Sequence, residues 1–177
     1  MTILYIASKI LTFPGAYLRG FWEHLTCKIL GLPVEVPGYL RLDEACGHVE
    51  HGLAQKGWAA YLIATGPGFM NLMTGFPIFL AGFVNLVYMG IRYSDSPALF
   101  ITYILMTYVG ASLMCNVFPL VEDAMNLYDV AYSQKKMNAF GRLLAFIPTV
   151  ITYAGAYLEK YGITVILWIV FIVLSII

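Results

Sequence analysis

Residues 57–91 contain no Asp, Glu, Lys or Arg. As one helix, that run of 35 residues would extend about 52 Å, against a bilayer hydrocarbon core of about 30 Å. It is too apolar for a water-exposed helix and too long for one upright span. Either a tilted helix projects from the membrane, or the run breaks at Gly66-Pro67-Gly68 or Gly75-Phe76-Pro77. Residues 96–121 are again free of charge and long enough to span. Over the whole chain 60% of residues are hydrophobic and 11% charged, where a soluble domain carries about 25% charge. Such a chain cannot cover its surface with polar groups, so lipid is the expected solvent and partner. The expectation is an all-α, multi-pass integral membrane bundle with four to five membrane-embedded helices, placed in the cell membrane.

The chain reads as a single membrane domain, 1–177. Residues 1–32 form a helical region, 33–56 a polar loop and 57–177 the membrane helices. Val34–Leu42 suggests a short hairpin or extended pair. Leu143–Leu158 and Tyr161–Ile177 are two shorter apolar runs joined by Glu159-Lys160, suited to a helical hairpin. Lys9 interrupts the first apolar run and no small-residue cleavage site follows, which argues against a cleavable signal peptide. Segments 28–56 and 122–142 each hold three Lys or Arg. If 57–91 and 97–121 cross once each, both segments fall on one side, expected to be cytoplasmic. The formal net charge of zero gives no support for nucleic-acid binding. The three cysteines, Cys27, Cys46 and Cys115, have neither disulfide-framework nor zinc-knuckle spacing.

Charge reappears where apolar character is otherwise high, in Phe13–Val34, FPGAYLRGFWEHLTCKILGLPV. Arg19, Glu23, Thr26 and Cys27 recur at helical spacing on one face. Phe21, Trp22, Leu25, Ile29 and Leu32 cover much of the rest. Buried charges in such a helix need partners. Glu23 and Asp123 are therefore candidates for an ionic cluster with Arg19 or Lys28.

FPG leading into a helix and then CKILGLPV resembles the opening of integral-membrane zinc metalloproteases of the site-2 protease group. GPGFMN at Gly66–Asn71 resembles that family's GPxxN helix. NVFPLVEDAMNL at Asn116–Leu127 resembles the later motif in which an FPS-like turn precedes an Asp ligand. The three landmarks occur in the family's order over roughly residues 13–127. The resemblance implies a zinc held by two histidines of HExxH and a distant Asp, here Asp123. The motif's Glu serves as base for a metal-polarised water.

The motif itself is absent. Aligned on Phe13-Pro14-Gly15, Arg19 takes the first His position, Gly20 the Glu position and Glu23 the second His position. Arginine cannot ligate zinc, because its guanidinium stays protonated, and Gly20 offers no base. Shifting the register by one brings His24 onto the second His but restores nothing else. The implied function is a metalloprotease-like protein that is catalytically inactive and binds a membrane protein or peptide substrate, with no cofactor.

Two alternatives stay open. One is an active membrane metallohydrolase with a relocated zinc site built from His24, His48, His51 and Asp123. Glu50 would then be the base, with Glu23, Cys27 or Cys46 within reach. His48 and His51, three apart, form a workable ligand pair on a helix. The other is a small transporter or transporter accessory subunit, using Arg19 and Glu23 and a discontinuous 57–91 span. A remaining possibility is that the residues of the relocated site are solvated loop side chains of no special role. Asn71 is suited to hydrogen bonding between helices or to packing specificity alone.

Overall fold

The structure is a computed structural model and describes residues 2–36, 38–41, 46–133 and 138–176. It is nearly all-α. Helices α1 (Thr2–Leu11) and α2 (Phe13–Leu30) are followed by a minimal antiparallel pair, β1 (Val34–Val36) and β2 (Glu50–His51). Then come α3 (Gly57–Phe83), running on through a π-helical turn at Val84–Tyr88, and α4 (Pro97–Cys115). Short α5 (Val121–Tyr128) ends in a second π-helical turn, Asp129–Ser133, before α6 (Ala139–Lys160) and α7 (Ile163–Ile176).

Helices α3 and α4 form an antiparallel hairpin whose backbones meet at glycines. Gly68 lies against Val117, Gly75 against Gly110 and Leu113, and Gly82 against Tyr103 and Thr107. A Cβ at any of these glycines would strike the neighbouring chain, so close approach is what requires them. Helix α2 lies alongside α4 in the same direction, with Gly15 on Ser112 and Arg19 on Val117. The Gly15 N–H donates to Ser112 Oγ at 2.8 Å, and that hydroxyl donates to the Thr12 carbonyl at 2.9 Å. Helix α7 closes the far end of α3, with the Trp168 ring edge-on to Phe79 at 5.1 Å and Phe171 stacked on Phe83 at 5.9 Å.

Among the described residues, three helices are long and apolar enough to cross a membrane: Gly57–Tyr88, Pro97–Cys115 and Ala139–Lys160. Their outer faces are apolar, with Phe69, Met73, Phe76 and Leu80 exposed on α3 and Leu144, Ile147 and Ile151 on α6. An apolar surface this continuous suits lipid rather than water.

Three expectations change. The 57–91 run does not break at its prolines. Pro67 and Pro77 both lie inside α3, each removing a donor and crowding the preceding turn without ending the helix, which continues to Tyr88 by widening into a π turn. The extended pairing falls elsewhere than Val34–Leu42. β1 pairs with residues 50–51 from the far end of the polar loop, and Leu42 lies outside the described residues. Finally, Glu159-Lys160 is not the junction between the two apolar runs. Both residues belong to α6, and the chain turns after them at Gly162, which takes φ +70°. Glu159 is buried because Lys9 of α1 pairs with it.

Candidate functional site

The buried face of α2 carries Gly15, Ala16, Arg19, Gly20, Glu23 and Cys27. Their three- and four-residue spacing is the polar stripe of the sequence turned inward. Arg19 is fully buried. Its Nη1 donates to the Val117 carbonyl at 2.6 Å, and its Nε lies 3.8 Å from Glu23 Oε2. Among the described residues, Nη2 and Nε have no hydrogen-bond partner. The guanidinium fits because Gly68 has no side chain: a Cβ there would come within 2.7 Å of Arg19 Nη1. Asn71, one turn further along α3, donates through Nδ2 to the carbonyls of Gly15 and Asn116 at 3.0 and 2.9 Å. It thus joins α2, α3 and the end of α4 by hydrogen bonds, and does more than pack.

Over Glu23 lies a strap, residues 46–52. Gly47 takes φ +83° and sits on Ala16, a conformation and a clearance that favour glycine. Tyr5 Oη donates to the Cys46 carbonyl at 3.0 Å, the Gly47 N–H to the Tyr39 carbonyl at 2.8 Å, and the Gly52 N–H to the Pro33 carbonyl at 3.2 Å. From this strap the His48 Nδ1–H donates to Glu23 Oε2 at 2.8 Å and the Val49 N–H to Glu23 Oε1 at 3.1 Å. His48 and Glu23 are both essentially without solvent exposure. Burial pushes the His48 imidazole below its ordinary pKa, outweighing the attraction of Glu23, so it is neutral at pH 7.

His51, on β2, brings in the third element. Its Nε2 lies 3.5 Å from Asp123 Oδ1 and 3.9 Å from Glu23 Oε1. Asp123 stands in the first turn of α5, where a carboxylate complements the helix dipole. That turn is held in place by a buried cluster of Ala59, Ala60, Ile63 and Ala64 from α3 with Leu127 and Val130 from α5 and its π turn. Burial lowers the His51 pKa, but hydrogen bonding to and the charge of Asp123, the Gly52 carbonyl and the charge of Glu23 together raise it to about 9. With His51 protonated, Arg19 and His51 balance Glu23 and Asp123, and the cluster is neutral overall. Of the ionic cluster expected from Glu23 and Asp123 with Arg19 or Lys28, the structure has Glu23 beside Arg19, while Asp123 lies beside His51 instead. Lys28 is exposed and takes no part.

Among the described residues, Glu23, His51 and Asp123 each offer a ligand atom within 4.8 Å of the others. The donor set fits a divalent transition metal. His51 Nδ1 faces the Gly52 carbonyl at 3.0 Å, so its proton is held there and Nε2 is the atom turned toward the carboxylates. Imidazoles that ligate metals are oriented in this way. Three electron-rich atoms this close require a cation between them, either a proton on Nε2 or a metal ion. A tetrahedral site with bonds of about 2.0 Å has edges of roughly 3.3 Å. The 3.5 Å separation from Asp123 is close to that, and the 3.9 Å separation from Glu23 is longer by more than half an ångström.

The relocated set is therefore brought together in part. His51 and Asp123 converge, Glu23 completes the trio, and His48 touches it only through Glu23. His24 lies apart. It is the next residue after Glu23 and so projects from a different face of α2, where its Nδ1 shares a hydrogen bond with Tyr39 Oη at 2.8 Å. Glu50 is turned away by the alternation of β2 and pairs with Arg41 at 2.5 Å. At the base position, Gly20 is covered by Tyr39: a Cβ on Gly20 would lie 3.0 Å from the tyrosine's Cβ. Cys27 and Cys46 are buried free thiols outside the converging trio. Sequence reasoning missed Tyr39 and the backbone of Val49, neither of which carries a motif signal. It also missed a second polar cluster, Lys9–Glu159–Asn116, whose one visible trace was a lysine in an apolar helix.

No family model, curated protein or solved structure matches the chain.

Proposed function

We propose that the chain is a membrane-embedded, metalloprotease-like protein that holds a membrane partner or substrate helix without cutting it. In this reading α2 and α7 join the three long apolar helices as membrane-embedded elements, giving the four to five expected. The observation that carries it is Tyr39 packed on Gly20. Where the resembled family has its general base, this chain has no side chain, and the space is filled by an aromatic ring. Arg19 stands at the first ligand position with its charge buried, so the inherited zinc set is lost there too. The order of FPG, GPGFMN and the Asp123 segment, and the packing of α2 against both α3 and α4, support retention of the scaffold.

The convergence of Glu23, His51 and Asp123 favours a second reading, a membrane metallohydrolase with a changed ligand set. A metal on those three residues would supply a polarised water or carbonyl. Glu50, the base considered for that chemistry, is paired with Arg41 instead, so this reading still lacks a proton acceptor. The transporter reading loses its discontinuous span, because α3 is unbroken through Pro67 and Pro77.

The test is to incubate the purified full chain, in detergent and zinc-replete buffer, with a panel of single-span helical peptides. Saturable cross-linking of at least one peptide with no new peptide termini is expected. Cleavage that disappears in Asp123→Asn would overturn the non-cutting reading in favour of the hydrolase.

A further inference from the structure

We propose that a divalent transition metal bound by Glu23, His51 and Asp123 locks the 46–52 strap onto the helical core. The three donors come from three separate elements: α2, the strap and α5. Glu23 and Asp123 are fixed by helices packed in the bundle. His51 is the only one of the three that the strap supplies. A metal that takes all three as ligands can bind only while the strap is closed, so metal binding and strap closure are one equilibrium.

Three observations beyond proximity point to a ligand. The Nδ1–H of His51 is committed to the Gly52 carbonyl, leaving Nε2 as the ring atom that faces the two carboxylates. Glu23 is held by the His48 imidazole and the Val49 N–H, the kind of outer hydrogen bonding that orients a metal-binding carboxylate. Arg19, fully buried at the edge of the group, has Nη2 and Nε without hydrogen-bond partners among the described residues. A metal-bound water or hydroxide is an acceptor that such an arginine lacks. The charges also balance: arginine and a divalent cation against two carboxylates and one hydroxide. One imidazole and two carboxylates suit Zn²⁺, Mn²⁺ or Fe²⁺ better than a soft thiophilic ion.

The role assigned is a clasp. Closed, the strap buries Glu23 and leaves Asp123 barely exposed. Open, it would uncover a pair of carboxylates beside Arg19. The clasp does not depend on the protease-like reading, since metal can fasten the strap whether or not a partner helix binds.

The experiment uses Zn²⁺ and the full chain in detergent. Metal content is measured after chelation and reloading, and amide hydrogen exchange is followed by mass spectrometry with and without zinc. One Zn²⁺ per chain is expected, lost in Asp123→Asn and in His51→Gln. At free zinc about 100-fold above the dissociation constant, strap opening should fall about 100-fold, so the Gly47, Val49 and Gly52 amides should exchange about 100-fold more slowly. Exchange in α3 and α4 should not change, which also reports whether the variants fold. If they do not, the comparison of the unaltered chain with and without zinc decides. Zinc bound with no change in strap exchange overturns the clasp, as does absence of zinc binding. Zinc retained by both variants does the same. So does a Co²⁺-loaded protein with thiolate charge-transfer absorption, which would place the ion on Cys27 or Cys46. None of these outcomes bears on peptide capture, so the clasp and the partner-binding reading fail separately.

Discussion

The Lys9 ammonium and the Glu159 carboxylate form a buried ion pair across 150 positions of sequence. Lys9 also donates to Asn116 Oδ1 at 2.8 Å, and Glu159 Oε2 accepts from the Phe118 N–H at 3.0 Å. One network thus ties α1 and α6 to the segment joining α4 and α5. Lys9→Met leaves the Glu159 charge buried and unpaired and is expected to cost about 3–5 kcal/mol. Lys9→Met combined with Glu159→Leu should recover most of that loss, because no charge is then left behind. Unfolding of both variants in detergent checks this; a double variant less stable than Lys9→Met alone would contradict it.

The pair also shows what sequence could and could not supply. The apolar runs and the inward stripe Arg19–Glu23–Cys27 were legible, because helical periodicity and the cost of buried charge act locally, whereas Asp123 stood out through a family resemblance and His51 through its spacing from His48. Partner choice was not legible. Glu159 beside Lys160 looks like a solvated turn until α1 is known to pass it. Likewise, Glu23 separates from its neighbour His24 only because α2 turns one toward Arg19 and His48 and the other toward Tyr39. β1 finds its partner from the opposite end of a long loop, a non-local pairing that no turn signature marks. The strap matters most here, since it supplies His48, Val49 and His51 to a helix some 25 residues upstream.

Gly68 is a test of close packing rather than of backbone conformation. Its α-carbon faces the Val117 carbonyl and Arg19 Nη1. Gly68→Ala is expected to separate α3 from α4 and to destabilise by about 1–3 kcal/mol, in the range of other overpacked cores. Gly66, one turn position away with open space around it, provides the control. Gly66→Ala should be neutral or slightly stabilising, since alanine favours a helix. Equal losses at the two positions, measured by thermal unfolding in detergent, would refute the account.

Asn71 bonds to two backbone carbonyls on different segments. Replacing it by Leu keeps the branched shape, though with a bulkier side chain, and leaves both acceptors without this partner in a buried setting. A loss of about 1–3 kcal/mol is expected. Asn71→Asp should be worse, because an ionised carboxylate cannot donate to either carbonyl and adds an unpaired buried charge. If Asn71→Leu matches the unaltered chain in an unfolding measurement, packing alone accounts for the residue.

The metal-free protein should lose stability on the alkaline side through His51. The folded pKa is raised to about 9, against an ordinary value near 6.5. A raised pKa means that the folded state holds the proton more tightly than the unfolded state. The contribution is therefore complete below about pH 6.5 and declines as pH rises through about 9. Its origin is the Asp123 and Glu23 carboxylates, whose attraction outweighs the effect of burial. His51→Gln should abolish this part of the pH dependence while leaving the neutral-pH helical content intact. His48 acts in the opposite sense. Its depressed pKa means that the unfolded chain takes up the proton first, so its effect is confined to acidic pH, and His48→Gln should leave the alkaline decline in place. Unfolding midpoints of the three chelated proteins between pH 6 and 10 separate the two histidines. An unchanged slope in His51→Gln would show that the Asp123 pairing does not hold the strap.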